Sequence, residues 1–370
     1  MSASNWKDCR RILCIRPDNM GDLLMSGPAI RALKTTFNCH ITVLVSSMGA
    51  GIVDFMPEID DTIIFDTPWV QTSTTPVPDS FNKMAARLRK GNFDAAVIFT
   101  VYSQNPMPSV MLAYVAGIPR RLAYCRENPY HLLTDWVPDE EPYNIIKHQV
   151  RRDLDLVANV GAVATQEQLY VRIKKDRRTG MLKQLEQAGV DPEKPFMVLH
   201  TDVSELKRKY PVKAWISAGR KIAAAYNCQL LITGKNNISE CRDIAEGIGE
   251  GAFSVGGLLD LEEFILLIKY SVMVISVNTV TVHLAAAVQT PVLVLYAMTN
   301  PQHTPWMVNS GVLYFDVPAS LQSRNEVVKY VYRSLACSDL PPASPANILE
   351  ETGALLPQAS GRFKKPQPMS

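Results

Sequence analysis

The chain lacks most of the devices by which a sequence declares a simple class. None of its seven cysteines forms a CxxC pair, and the odd count argues against a complete disulfide framework. No four ligands cluster at the usual spacing, which argues against a structural zinc site. Both glycine-rich phosphate fingerprints, GxGxxG and GxxxxGK[ST], are missing. Redox chemistry on a dinucleotide and P-loop phosphoryl transfer therefore lose their main sequence support. Charge of one sign is also missing: 38 basic and 36 acidic side chains leave a formal +2. That is no broad electrostatic case for nucleic acid or acidic lipid. No apolar run approaches the roughly 20 residues that span a bilayer, and the start, MSASNWKDCRR, has no apolar signal core. The expectation is a cytoplasmic protein, with Cys14, Cys39 and Cys228 as free thiols in or beside apolar strand-like runs.

What is present is α/β alternation, twice. A chain of 370 residues, 47% hydrophobic, is comfortable for two open-sheet domains. Ile12 to Ile15 is a short apolar run, Pro17 to Gly21 a turn, and the chain from there to about Phe37 a helix interrupted by Pro28. Strands follow at His40–Val45, Asp61–Phe65 and Phe93–Phe99, with helices at Phe81–Lys90 and Val110–Gly117. Thr72 to Asp79 reads as a loop, and Leu122 to Tyr143 is irregular. The helix Asn144–Asn159 carries Lys147, His148, Arg151 and Arg152, either as a solvated basic face or as one wall of a cleft for an anionic partner. A polar junction near Val171 to Pro195 separates this half from a second one. There Phe196–His200, Cys228–Gly234, Val272–Ser276 and Pro291–Tyr296 read as strands, alternating with helices that include Leu261–Tyr270 capped by Asp260. Beyond Pro301 the pattern loosens to one clear helix, Arg324–Ser334, and a Pro/Ser-rich tail. The expected domains are 1–180, 190–335 and a C-terminal extension, 336–370, whose end is loose.

Ligands of such sheets bind at the carboxyl edge, where strands feed helices. Asp22 stands there, one residue past Gly21 and at the start of the first helix. A carboxylate near a helix N-terminus is favourable by a few tenths to about 1 kcal/mol without any catalytic role. In the second half, Asn278 and Thr279 follow a strand and precede a helix that either could cap. The free N–H groups of that helix would face a phosphate. A cap alone accounts poorly for the run Asn278, Thr279, Thr281, His283, although a lone His283 is more often structural. Lys207, Arg208 and Lys209 form a basic triplet after another strand, where one member could neutralise a leaving diphosphate. Thr201 and Ser204 add hydroxyls, and Gly234 with Lys235 ends the next strand, suited to a ribose or base. Two similar domains suit group transfer from a nucleotide-linked donor, one holding donor and the other acceptor.

Three ordered segments carry a resemblance: Arg16-Pro17-Asp18-Asn19-Met20-Gly21-Asp22; His200 to Trp215; and Asn278 to Ala287 with Tyr296 to Pro301. Over residues 11–310 they resemble the bacterial ADP-heptose:lipopolysaccharide heptosyltransferases of glycosyltransferase family 9. The resemblance implies a GT-B fold, two Rossmann-like domains with parallel sheets facing across a cleft. The N-terminal domain would bind the acceptor and the C-terminal one the nucleotide sugar. It also implies an inverting, metal-independent glycosyltransferase that moves a heptose or related sugar from a nucleoside-diphosphate donor, ADP-linked in this family, without any cofactor. Asp22 falls on the family's general base and Arg208 on its basic partner, with Tyr210 where the family has Trp. Thr201, Ser204, Lys207, Lys209, Gly234, Lys235, Asn278, Thr279, Val280, Thr281 and His283 fall on the donor side. Arg16, Asn19, Met20 and Gly21 fall on the acceptor side.

The late motif departs from the family. Asn278 and Asn300 each replace an acid, and Val280 replaces a glycine where backbone normally approaches the diphosphate. The donor class is expected to be kept, with the exact sugar and base open. Acceptors could be glycan, lipid-linked or small natural products; peripheral membrane contact is compatible, and nucleic acid is not expected. Two rival readings stand beside the transferase. One is an inactive sugar-nucleotide or glycan-binding homologue, and the other a nucleotide-sugar epimerase or hydrolase on the same fold.

Overall fold

Apolar runs of four to six residues become parallel strands in a computed structural model of the chain, which describes residues 5–70, 77–173, 177–297, 300–335 and 341–356. The chain divides into two units, Met1–Arg172 and Ile173–Ser370. The first contains β1 (Arg11–Ile15), β2 (His40–Val45), β3 (Asp61–Ile64), β4 (Ala95–Ile98), β5 (Arg120–Cys125) and β6 (Asp135–Pro138). Their order is β3-β2-β1-β4-β5-β6, every pairing parallel. Helices α1 (Met20–Phe37), α2 (Ser80–Lys90), α3 (Met107–Val115) and α4 (Gln149–Ala158) cover it. Because both faces are covered, the central strands are apolar throughout rather than alternating. On β1, Leu13 and Ile15 join the cluster under α2 and α3, while Ile12 and Cys14 are equally buried on the other side.

The second unit repeats the plan. β7 (Phe196–His200), β8 (Gln229–Thr233), β9 (Ala252–Ser254), β10 (Met273–Val277), β11 (Val292–Ala297) and β12 (Ser310–Phe315) lie in the order β12-β11-β10-β7-β8-β9. Helices α5 (Arg177–Gln187), α6 (Val212–Ala225), α7 (Ile238–Ile248), α8 (Leu261–Tyr270), α9 (Val280–Val288), α10 (Glu326–Leu335) and α11 (Pro345–Leu355) belong to it. Strand order reverses between β1 and β4 in the first sheet and between β7 and β10 in the second. In open parallel sheets that reversal opens a crevice at the strand carboxyl ends. Asp22 and Asn278 both stand beside such a point.

Several elements differ from the sequence expectation for local reasons. The irregular stretch Leu122 to Tyr143 contains most of β5 and all of β6. β5 opens on two arginines, and Arg121 is buried only because its guanidinium donates to the carbonyls of Leu132, Ile118 and His131. β12 opens on Ser310-Gly311 and β9 has three residues, too few for a pattern. The Pro/Ser-rich tail is partly a helix: Ser344 Oγ accepts from Asn347 N at 3.1 Å, and Pro345 occupies the first turn of α11. Ile348 and Leu355 of that helix join the second core beside Trp215 and Ile222. Neither reading of the basic helix holds for Arg152, which is 1% exposed and ion-paired with Asp139 and Glu141. Most of the Thr72–Asp79 loop, Lys174, Lys175, Met298, Thr299, Cys337 and the last fourteen residues lie outside the described residues.

Candidate functional site

The carboxyl end of β1 carries Arg16, and its surroundings set the character of the loop. Arg16 is fully buried; its Nε lies 3.2 Å from Asp18 and its Nη2 lies 3.3 Å from Oδ1 of Asp22. Burial opposes its charge, but Asp18 and Asp22 outweigh that and hold the guanidinium above its usual pKa. Asp22 occupies the third position of α1, where its Oδ2 accepts from Asn19 N at 3.3 Å. The ordinary helix-terminus role is therefore real. Unlike Arg16, the Asp22 side chain keeps 13% exposure, so a carboxylate oriented by a buried cation can meet a ligand. Asn19 is exposed, Met20 half-buried and Gly21 buried. Arg16, on the acceptor side by resemblance, is fully buried and contacts Asp18 and Asp22.

The polar groups packed around this loop escape sequence reading. Asp18 accepts from Gln104 Nε2 at 2.5 Å, and its backbone carbonyl accepts from Ser46 Oγ at 2.7 Å. Burial pushes the Asp18 carboxyl up, with Arg16 opposing. From α4, Asp153 accepts from Ser26 Oγ and from Gln149 Nε2, each at 2.7 Å. Burial pushes Asp153 up to about 6 against the pull of Arg16. Gln149 and Arg152 both donate to the carbonyl of Thr100, just past β4, at 3.3 and 3.0 Å. The only trace of this in sequence is the spacing Gln149, Arg152, Asp153, which places three polar side chains on adjoining parts of one helix.

In the second unit the expected donor residues gather mainly at the ends of β7 and β10. Arg208, in a short helical turn, donates from Nη1 to the carbonyl of Asn278 at 3.3 Å and pairs with Glu205 at 3.2 Å. Its Nε is buried without a hydrogen-bond partner. Lys207 pairs with the same Glu205, whereas Lys209 turns to Glu240 on α7. Thr279, not Asn278, caps α9, accepting from Thr281 N. Asn278 instead uses Oδ1 to accept from Ala297 N at 3.2 Å, tying β10 to the end of β11. Val280 is half-buried, His283 is 5% exposed and packs edge-on against His303, and the buried Thr281 Oγ1 has no partner. Buried polar atoms left unsatisfied are uncommon and mark places where a ligand can supply the partner.

Sequence reasoning missed Asp202. Its Oδ2 accepts from the backbone N–H groups of Lys235 and Asn236 at 2.8 and 2.6 Å, and Oδ1 from Val203 N at 2.9 Å. Those N–H groups are thereby taken, and Gly234 is needed for packing: a Cβ there would lie 2.8 Å from Cys241 Sγ and 2.9 Å from Asp202 Cβ. Thr201 is buried under this loop, Ser204 and Lys235 are exposed. The half-buried His200 bonds Thr233 Oγ1 at 2.9 Å and is held down to about 4 by desolvation. A separate cavity of about 470 Å³, lined among others by Arg324, Lys329, Tyr332 and Arg333, shares only Lys207 with the expected donor set. Among the described residues, no group of three or more His, Cys, Asp or Glu is placed to hold a metal ion.

Comparison with known proteins points one way. A family model described as glycosyltransferase family 9 (heptosyltransferase) matches residues 81–327. The chain is 24% identical over 315 residues to lipooligosaccharide heptosyltransferase 2 of Haemophilus influenzae, covering 80% of this chain and 85% of that protein. Among solved structures it resembles a family 9 glycosyl transferase from Veillonella parvula, with a TM-score of 0.73 at 13% identity, covering 96% and 99% of the two chains. It also resembles the ADP-heptose lipopolysaccharide heptosyltransferase II of Escherichia coli, with a TM-score of 0.66 at 19% identity and coverage of 93% and 98%. The two parallel-sheet units are those of the GT-B fold.

Proposed function

We propose, for a chain that belongs to glycosyltransferase family 9, that it is an inverting, metal-independent transferase using a nucleoside-diphosphate sugar, ADP-linked and heptose-like. The likeness to heptosyltransferases, one of them titled for ADP-heptose, supports the donor class. The observation that carries the mechanism is the Asp22 carboxylate, partly exposed and fixed by Arg16 and the Asn19 N–H at the end of β1.

In this reading Asp22 takes the proton of an acceptor hydroxyl as its oxygen attacks the donor's anomeric carbon. The new C–O bond forms as the bond from that carbon to the diphosphate oxygen breaks on the opposite face. The diphosphate leaves with the electron pair, and the proton passes from Asp22 to solvent. Arg208, Lys207 and the N-terminal N–H groups of α9 are the groups of the second unit that meet the departing charge. Ion pairing with Glu205 keeps both cations in place without a long side chain having to be ordered during the reaction. Val280 at the first turn of α9 narrows the approach to the diphosphate, and Asn278 offers hydrogen bonds without charge. Asn278 and Val280 thus make the sugar the part of the donor most open to change in this reading. The first unit supplies the acceptor side, from Asn19, Met20 and Gly21.

Incubation with a panel of nucleotide sugars and glycan, lipid-linked and small-molecule acceptors, with products read by NMR, tests the reading. The expected product has an inverted anomeric centre and forms equally in the presence of a chelator. Retention of configuration, or conversion of the donor alone with no transfer to any acceptor, would overturn it.

A further inference from the structure

The mechanism makes no use of α4. Asp153 on that helix is a fully buried carboxylate. Its Oδ2 is 2.7 Å from Ser26 Oγ, and that same hydroxyl lies 3.2 Å from the backbone carbonyl of Asp22, one turn earlier on α1. A serine hydroxyl has one proton to give. While Asp153 is ionised it takes that proton, and Ser26 is held toward α4. Once Asp153 is protonated, its own O–H can donate to Ser26 Oγ, freeing the serine proton for the carbonyl of Asp22. The other oxygen, Oδ1, accepts from Gln149, which is anchored to Thr100 at the end of β4. One carboxylate therefore ties the turn that carries Asp22 to the neighbouring strand at the reversal of the first sheet.

We propose that Asp153 is a positioning residue for the base, acting through Ser26 on the first turn of α1 and through its charge on Arg16. The proposal rests on the reading of Asp22 as the base. Arg16 is the shared element: buried between Asp18 and Asp22, it also feels Asp153. The groups facing Asp153 are Arg16 just past β1, Asp18 of the loop, Arg152 beside it on α4, and Tyr124 of β5. Desolvation outweighs the pull of both arginines there, and Asp153 titrates above an exposed aspartate. A misplacement of about 1 Å in a reacting group can cost on the order of a hundredfold in rate.

The test is a cycle of Ser26→Ala, Asp153→Asn and the double variant, measured against Asp22→Asn in the full chain. Each single change is expected to lower kcat about tenfold with KM for the nucleotide sugar unchanged. The double variant should be no worse than the poorer single one, since both act through one linkage. Asp153→Asn should also remove an acid limb near pH 6 from the kcat profile, which a purely structural role would not do. Ser26→Ala removes only a hydroxyl and so reports even if the buried acid is needed for folding. Unchanged kcat in both single variants, or additive losses in the double, would overturn the proposal while Asp22→Asn stays inactive. Normal turnover of Asp22→Asn would instead remove the base itself.

Discussion

Replacing Asp22 by Asn separates a helix cap from a catalytic base, because the structure assigns different energies to the two roles. The isosteric amide can still accept from the Asn19 N–H that now reaches Oδ2 at 3.3 Å. What is lost is charge facing Arg16. Deleting one partner of a buried pair costs about 3–5 kcal/mol when it leaves the other alone. Here Arg16 keeps Asp18 at 3.2 Å and the nearby Asp153, so the expected loss falls to about 1–2 kcal/mol, nearer that of a charged hydrogen bond. For a unit of this size that is a drop of several degrees in Tm. The catalytic loss is larger. General-base assistance of about 10²–10⁴-fold corresponds to roughly 3–5 kcal/mol of barrier. Release of nucleoside diphosphate, donor affinity by calorimetry and thermal melting should therefore show turnover down at least about a hundredfold, donor Kd within about twofold, and a modest melt shift. Turnover within about threefold of the parent would refute the base assignment. Lost turnover with a collapsed melt would return Asp22 to a capping role.

Three further outcomes follow from the second unit and from the buried acids. Asn278→Asp keeps the acceptor for Ala297 N, so the fold should persist while the ranking of donor sugars in competition assays shifts; an unchanged ranking counts against Asn278 as a donor contact. Gly234→Ala forces a Cβ to 2.8 Å from Cys241 Sγ, and overpacking of that kind should cost about 1–3 kcal/mol in denaturant unfolding; a neutral result would mean the loop yields freely. His200 is lowered from 6.5 to about 4, so the unfolded chain takes up its proton first and stability falls as the pH drops through that interval. Asp153 is raised from 3.8 to about 6, so the folded state takes up its proton first and stability rises as the pH drops from about 6 toward 3.8. Melts between pH 7 and 4.5 should change slope in opposite directions for His200→Asn and Asp153→Asn, and slope changes of the same sign would refute the assignment.

Those acids also mark where sequence reading stops. The turn from Pro17 to Asp22 is legible because its strand, its glycine and its helix are contiguous, and the same holds for β10, Thr279 and α9. Asp260 is legible as a cap for the same reason, with its reciprocal bonds to Glu263 only three residues away. Asp153 meets Ser26 across 127 residues, and no periodicity reports that. Arg16 and Arg152 mislead in the ordinary way: arginine is seldom buried, and both are buried because several carboxylates from distant segments converge on them. The basic triplet misleads less. Its three cations were expected together, yet Glu205 and Glu240 draw them apart and leave Arg208 as the member that touches the β10 turn.

The two units offer a natural control for the base assignment, since each has an acid just past the first strand of its sheet. Asp202 lies two residues past β7, while Asp18 lies three and Asp22 seven past β1. Its two oxygens accept three backbone N–H groups, two of them from the loop after β8. A carboxylate so engaged is a strut that ties the loop after β7 to the loop after β8. Asp22 accepts from the Asn19 N–H and pairs with a buried arginine. That arrangement orients the group, and its side chain stays 13% exposed. Position at a strand's end is thus shared by structural and chemical acids alike. What separates them is which donors occupy the oxygens, and that difference supports the proposal of Asp22, in the first unit, as the proton-accepting group. Under the same proposal the second unit's polar groups meet the diphosphate, whose charge they suit.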